Sequence, residues 1–112
     1  MADPYYSEED LAHLHEIGED SPLGWQRFQS WCSQVMGDGA LTRREKSLVA
    51  LAVAHAIACP YSIDAYTEDC LEKGYNMAQT TEAVQVAAAV RGGSVLMHGL
   101  QMRNSAAKHK ER

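Results

Sequence analysis

Residues 48–62 read LVALAVAHAIACPYS, an apolar run of helical character followed directly by a Cys-Pro pair. Proline suits the first position of a helix, because that position needs no backbone donor and the fixed φ of proline is already helical. Cys59 is therefore predicted to cap a helix that Pro60 begins, immediately after an apolar helix over residues 43–58. Two helices joined at a cysteine indicate an all-α fold.

Other parts of the chain carry helix signals of the same kind. Residues 8–17 and 22–36 are predicted helices, the second with large apolar side chains on one face. Thr42 and Glu45 have the spacing of a capping box at the start of the helix over residues 43–58. Because that helix is apolar on most sides, we expect it to be buried nearly all round.

The C-terminal half is rich in small apolar residues. The helix that begins at Pro60 is predicted to end at Gly74, which favours the left-handed conformation of a helix terminator. In the Ala- and Val-rich stretch over residues 80–102, Gly92-Gly93 is predicted to form a turn or a tight crossing between two helices. A single chain of this length cannot easily bury so much apolar surface, so we expect the protein to form a homo-oligomer.

The chain has 112 residues, of which 46% are hydrophobic and 22% charged. These values predict a single helical domain over residues 1–105 and a flexible charged tail over 106–112. The net charge of −5 argues against a nucleic-acid partner. No segment has the form of a membrane span or a secretion signal, so we expect no membrane partner. Cys32, Cys59 and Cys70 do not form a disulfide framework, which favours a cytoplasmic location.

Cys59 is the candidate reactive residue. As the cap of a helix, its sulfur faces the free backbone N–H groups of Tyr61 and Ser62. Those donors and the helix dipole favour the thiolate over the thiol. The alternative is that Cys59 is a small buried hydrophobic residue, which is the commonest role of a lone cysteine.

Four polar residues are the candidate partners of Cys59. Ser62 can donate a hydrogen bond to the thiolate, whereas a Cys at that position would complete a C-x-x-C pair. His55 and His98 are candidates for proton transfer near neutral pH, and Tyr66 has a hydroxyl that can orient a thiolate. The simpler alternatives are a first-turn helix residue for Ser62, core residues for the histidines and packing for Tyr66. Because no second Cys/His pair has ligand spacing, no metal site and no cofactor are predicted.

Several segments of the chain resemble one superfamily, that of the AhpD-like alkylhydroperoxidases and carboxymuconolactone decarboxylases. The segments lie within a family-like core of about residues 40–105. They are residues 45–54 (EKSLVALAVA), 59–67 (CPYSIDAYT), 72–74 (EKG) and 81–93 (TEAVQVAAAVRGG).

The resemblance implies an AhpD-like helical domain with a buried central helix pair, assembled into trimers or hexamers. It also implies reduction of a small-molecule peroxide or disulfide, with an external thiol as the reductant. More narrowly, residues 64–67 and His98-Gly99 resemble the peroxidase-like proteins associated with arsenosugar biosynthesis.

In the family's peroxidases a Glu, two Cys and a His form a proton relay. By resemblance, Cys59 matches the first Cys, and Ser62 occupies the place of the second, which is the attacking sulfur. Tyr66 stands where the His would be, and Ser47 stands where the Glu would be. Three of the four positions differ, so the family's mechanism does not transfer unchanged.

Two interpretations of Ser62 follow. In the first, Ser62 replaces a native Cys or selenocysteine; residue 62 then attacks the substrate and Cys59 resolves the product. In the second, Ser62 is natural and the protein works with one thiol or is not a redox enzyme. The sequence favours a peroxidase-like thiol oxidoreductase. The alternative is a non-catalytic carrier in which Cys59 holds a soft ligand such as trivalent arsenic, and a lyase such as a decarboxylase ranks third.

Overall fold

A computed structural model describes residues 5–110, and every regular element within that range is helical. This confirms the all-α prediction for that part of the chain. None of the helices described there is long and apolar enough to cross a bilayer. The elements are α1 (Glu8–Ala12), a 3₁₀ turn (Leu14–Glu16), α2 (Ile17–Asp20), α3 (Pro22–Met36), α4 (Arg43–Ala56), α5 (Pro60–Glu72) and α6 (Met77–Lys110).

The chain divides into two compact units, Met1–Lys46 and Ser47–Arg112. The first turn of α4 belongs to the first unit, and the remainder of that helix belongs to the second. Most of the family-like core lies in the second unit. The single domain expected over residues 1–105 stays a prediction.

In the first unit, the helix predicted over residues 8–17 is divided into α1, the 3₁₀ turn and α2. Ser7 and Asp10 form a capping box at the start of α1, with two hydrogen bonds of 3.1 Å. Gly18 is buried within α2, because the indole ring of Trp25 lies where a Cβ at Gly18 would be. A glycine that would usually end a helix is therefore used here for a close approach of α2 and α3.

The predicted capping box at the start of α4 is confirmed. The Thr42 N–H donates to Glu45 Oε1 at 2.9 Å, and the Glu45 N–H donates to Thr42 Oγ1 at 3.0 Å. The hydrogen bond from the Thr42 backbone also holds the pKa of the Glu45 carboxyl below its usual value.

The prediction that this helix is buried nearly all round was wrong for the single chain. Ser47, Leu51 and Ala54 are buried on one face, whereas Val49 and Val53 are 53% and 51% exposed. The reason is geometric, since a single copy of this short chain has too few helices to cover every side of α4.

The core of the second unit is small. Leu51 of α4 packs with Cys70 of α5 and with Tyr75, and all three are buried. Leu48 and Tyr66 pack against this cluster from the same two helices. The predicted central helix pair is therefore present, although it is buried only where α4 and α5 face the core. Gly74, with a φ of 89°, closes α5 as predicted.

The predicted interruption at Gly92-Gly93 was also wrong. The two glycines lie inside α6, a single helix of 34 residues. A Cβ at either glycine would meet no atom of residues 5–110 within 4 Å, so no helix described there crosses closely. Each glycine costs a helix only about 1 kcal/mol, and the good helix formers on both sides outweigh that cost.

Both ends of α6 extend beyond the prediction. At its start, Asn76 and Gln79 form a reciprocal capping pair, with bonds of 3.0 and 2.8 Å, so the helix begins at Met77. At its end, the first part of the predicted flexible tail is helical through Lys110, because alanines favour the helix and basic side chains suit its C-terminus. Residues 111–112 of that tail lie outside the described residues.

Candidate active site

The turn between α4 and α5 places Cys59. The Ala58 N–H donates to the His55 carbonyl at 3.0 Å, and the Cys59 N–H donates to the Ala54 carbonyl at 3.1 Å. This pair of bonds is a Schellman motif, whose central position is usually glycine because it requires a positive φ. Here that position is Ala58, with a φ of 54°. A side chain in this conformation costs roughly 1 kcal/mol, so the backbone is strained one residue before the cysteine.

Cys59 is the N-cap of α5, and Pro60 is the first residue of that helix, as the sequence predicted. The thiol is half-buried. Its sulfur makes no capping hydrogen bond of standard geometry. Nevertheless, the Ser62 hydroxyl first, and then the backbone N–H groups of Ser62 and Tyr61, lower the pKa of the Cys59 thiol, while desolvation opposes them. The N-terminal turn of α5 therefore stabilises a thiolate.

The other predicted partners lie elsewhere around this turn. His55 is in the last turn of α4, where its Nδ1 donates to the Leu51 carbonyl at 2.9 Å. A carbonyl only accepts, so Nδ1 carries a proton and Nε2 is the basic nitrogen of the neutral ring. Tyr66 packs against the core, and His98 is exposed on α6. Within residues 5–110, no hydrogen bond joins these three side chains to Cys59. The structure brings Ser62 to the sulfur, but not the other three.

A polar cluster of Ser47, Asp69 and Lys73 lies beside the core. The Ser47 hydroxyl donates to Asp69 Oδ2 at 2.5 Å and accepts from Lys73 Nζ at 2.6 Å. Lys73 also bonds both carboxylate oxygens of Asp69, at 2.9 and 2.8 Å. Ser47 is fully buried. The position that resembles the family's Glu thus holds a neutral hydroxyl, and α5 supplies a carboxylate to it.

The sequence interpretation did not identify Asp69 and Lys73. Their spacing of four residues on one helix was the available signal, because it brings two side chains together on the helix surface. Nothing local linked either residue to Ser47, which lies 22 residues before Asp69.

Cys70 follows Asp69 and is buried in the core. Burial first, and then the neighbouring Asp69 carboxylate, raises the pKa of its thiol, while Lys73 opposes them. Eleven residues of helix separate Cys70 from Cys59, roughly 16 Å along the axis, so the two sulfurs cannot form a disulfide. The remaining thiol, Cys32, is half-buried in the first unit. Among residues 5–110, no group of three or more His, Cys, Asp or Glu side chains is arranged to hold a metal ion.

Comparisons with known proteins agree with the all-helical fold. The chain is 36% identical over 85 residues to uncharacterized protein 4 in the cox locus of Paracoccus denitrificans, covering 73% of this chain and 77% of that protein. A crystal structure of a protein from Methanobacterium thermoautotrophicum is similar with a TM-score of 0.72 and 31% identity, over 75% of this chain and 94% of that one.

A second crystal structure, of a carboxymuconolactone decarboxylase family protein from Legionella pneumophila, has a TM-score of 0.69 and 25% identity, over 81% of each chain. The sequence pattern of the carboxymuconolactone decarboxylase family matches residues 24–102, which is well over half of the chain. The superfamily resemblance is thereby confirmed, whereas the narrower one to the arsenosugar-associated group stays a prediction. This chain belongs to the carboxymuconolactone decarboxylase family.

Proposed function

We propose that this protein is a peroxidase-like thiol oxidoreductase that reduces peroxides or disulfides at Cys59. The observation that carries the proposal is the position of Cys59, half-buried at the N-terminus of α5, where the Ser62 hydroxyl and backbone N–H groups lower the pKa of its thiol. A low-pKa thiol at a helix N-terminus is typical of reactive cysteines. Membership of a family that contains decarboxylases and alkylhydroperoxidases supports an enzymatic role.

With Ser62 present, Cys59 is the attacking residue. Its thiolate attacks one oxygen of a hydroperoxide, so that an S–O bond forms and the O–O bond breaks. The leaving alkoxide takes a proton and departs as an alcohol, and Cys59 becomes a sulfenic acid. An external thiol then attacks the sulfenic sulfur and releases water. A second external thiol displaces Cys59 from the mixed disulfide, so two thiols are oxidised while one peroxide is reduced.

We assign the proton transfer to His55, whose basic Nε2 accepts the proton of the Cys59 thiol and then gives it to the leaving alkoxide. This histidine lies in the last turn of α4, directly before the Cys59 turn, and its Nε2 is free of the bond that occupies Nδ1. An imidazole exchanges protons near neutral pH. His98 and Tyr66 stay predicted proton-transfer residues of lower rank, since one is exposed on α6 and the other packs against the core.

Position 62 decides which thiol resolves the oxidised residue, whereas two external thiols are oxidised per peroxide in either case. A Cys or selenocysteine at this position would attack the substrate, and Cys59 would resolve the oxidised residue 62 by forming an intramolecular bond. Ser62 cannot form that bond, so resolution falls to the external thiol.

The test is thiol-dependent consumption of an alkyl hydroperoxide or a small disulfide by three proteins. We expect slow turnover with Ser62, faster turnover for Ser62→Cys, and slow turnover again for Ser62→Cys combined with Cys59→Ala, because resolution then falls to the external thiol. Cys70→Ala in the Ser62→Cys background is the matched control, because it removes a thiol from the same helix. Absence of turnover in both the Ser62 and the Ser62→Cys forms would refute the proposal.

Cys59→Ala alone, added to these variants, tests the carrier alternative. Retention of arsenite that is lost on Cys59→Ala, without turnover of peroxide or disulfide in any form, would establish Cys59 as a soft-ligand site instead. Turnover in any Cys59-containing form would exclude a purely non-catalytic role.

We further propose that the working protein is a homo-oligomer, a trimer or hexamer. Large apolar side chains on α4 and α6 have no cover within one chain, which is typical of an association surface. Light scattering at micromolar concentration should give a multiple of the 12.3 kDa chain mass, and a mass of one chain would refute the assembly. The exposed apolar side chains on α4 and α6 include those of Val49, Val53, Val86, Val90, Val95, Leu96 and Leu100.

A further inference from the structure

The last four carbonyls of a helix have no partner inside it, and at the end of α4 all four are bonded. Three of them accept backbone N–H groups of the turn itself. The fourth, the carbonyl of Ala56, accepts a hydrogen bond from Nη1 of Arg91, which lies 35 residues further along the chain on α6. The three backbone bonds run from Ile57 to Val53 at 2.9 Å, from Ala58 to His55 at 3.0 Å and from Cys59 to Ala54 at 3.1 Å.

The Arg91 bond is of a strong kind in a favourable place. A hydrogen bond from a guanidinium is charge-assisted and roughly twice as strong as one between neutral groups. A cation at the C-terminus of a helix also interacts favourably with the helix dipole. Arg91 therefore completes the end of α4 with a side chain from a distant part of the same compact unit.

The turn that Arg91 supports is a strained one. Ala58 has a positive φ of 54° without the freedom of a glycine, and such conformations persist only where the surroundings hold them. The bonds that fix Ala58 and Cys59 are made to the same last turn of α4 to which Arg91 bonds. The orientation of Cys59 at the start of α5 thus depends on the end of α4 staying in place.

We infer that Arg91 is a positioning residue, which holds the strained Ala58 turn and thereby keeps the Cys59 sulfur at the N-terminus of α5. Its hydrogen bond goes to the Ala56 carbonyl, so it acts through the turn. The inference rests on the proposed function only in taking Cys59 as the reactive thiol. Its test needs no turnover, so the two can fail separately.

The test is the rate at which iodoacetamide alkylates Cys59, followed by mass spectrometry of the labelled peptide from neutral to strongly alkaline pH. We expect Arg91→Ala to slow alkylation roughly fivefold at neutral pH, to shift the rate profile to higher pH, and to leave the alkaline plateau unchanged. Arg91→Lys should recover part of the rate, because it restores a cationic donor. Arg103→Ala, which removes an exposed arginine of the same helix, should have no effect.

A double substitution shows whether Arg91 works through the turn. Glycine adopts a positive φ without strain, so in the Ala58→Gly background the loss of Arg91 should change the alkylation profile much less. An equal change in both backgrounds would overturn the inference. An unchanged profile in Arg91→Ala would overturn it as well, even with a lower melting temperature, because the bond would then be structural only. If Arg91→Ala does not fold, Arg91→Gln is judged by the same two criteria.

Discussion

Helix α5 brings two cysteines into contrasting environments. Cys59 caps the N-terminus of the helix, where a hydroxyl and backbone N–H groups lower the pKa of its thiol. Cys70 lies near the other end, fully buried beside the Asp69 carboxylate, and the pKa of its thiol is raised. The thiols share one helix and start from the same ordinary pKa of 9.0. The difference shows that hydrogen-bond donors and burial, rather than residue type, decide which thiol has the lower pKa.

The effect of pH follows from these directions. At a pH below 9.0, Cys59 is the more ionised of the two and should be alkylated first. Its lowered pKa stabilises the fold above the pKa of the unfolded chain, and this contribution is lost as the pH falls through the folded pKa. For Cys70 the pH dependence of stability is reversed. Its raised pKa stabilises the folded protein while the thiol is neutral, and this contribution is lost as the pH rises through the folded pKa.

The largest expected effect comes from exchanging each sulfur for oxygen. Cys59→Ser should reduce thiol-dependent turnover by roughly a hundredfold or more, because it removes the attacking atom. Cys70→Ser should preserve turnover and lower the free energy of unfolding by about 1–3 kcal/mol, since a hydroxyl would be buried in the core. Peroxide consumption and urea unfolding of both variants measure the two effects. Equal loss of turnover in both would abolish the contrast between the cysteines.

The next effect concerns the polar cluster beside Cys70. Lys73→Met removes the cation that bonds Ser47 and Asp69, and should lower the free energy of unfolding by about 2 kcal/mol because a carboxylate and a buried hydroxyl lose their donor. Lys108→Met, at an exposed position of α6, is the matched control and should be neutral.

The alkylation profile of Cys59 should be the same in Lys73→Met as in the unsubstituted protein. A shift in that profile would show that the cluster reaches the thiol, and the two ends of α5 would then not be independent.

A smaller effect is expected at Ser62. Ser62→Ala removes the hydroxyl that contributes most to lowering the pKa of Cys59, so alkylation at neutral pH should slow roughly threefold to tenfold. Ser62→Thr retains a hydroxyl and should stay close to the original rate. If alanine and threonine behave alike, the backbone donors alone hold the thiolate.

The smallest expected effect concerns a second comparison, between the C-terminal ends of α4 and α5. Gly74 closes α5 with the same Schellman motif that Ala58 forms at the end of α4. The Gly74 N–H donates to the Leu71 carbonyl, and the Tyr75 N–H donates to the Cys70 carbonyl. Ala58→Gly should therefore raise the free energy of unfolding by roughly 0.5–1 kcal/mol, and Gly74→Ala should lower it by a similar amount. Thermal unfolding measures both, and a destabilised Ala58→Gly would show that the alanine is not strained.

Individual helix boundaries show which features could be predicted from the sequence. The Thr42–Glu45 capping box, the helix start at Pro60 and the helix end at Gly74 were all predictable, because each depends on groups at most a few residues apart. Gly92-Gly93 misled the prediction, since the propensity of a glycine pair is weak beside the cooperativity of a long helix.

The candidate site also has features that the sequence predicts and features that it does not. The position of Cys59 at a helix N-terminus and the presence of Ser62 three residues later follow from the local sequence, as does the family. The roles predicted for His55, His98 and Tyr66 required knowledge of what lies beside the sulfur, and no local pattern supplies it.

The sequence by itself determined an all-helical chain with a thiol at a helix start, because helix caps and the Pro60 turn are encoded within a few consecutive residues. Tertiary structure alone decided the rest: that Ser47 meets Asp69 and Lys73, that Arg91 completes the end of α4, and that Cys70 is buried. The physical reason is that desolvation and hydrogen bonding act over a few ångströms in space. Groups separated by 22 to 35 residues reach that range only when the helices pack.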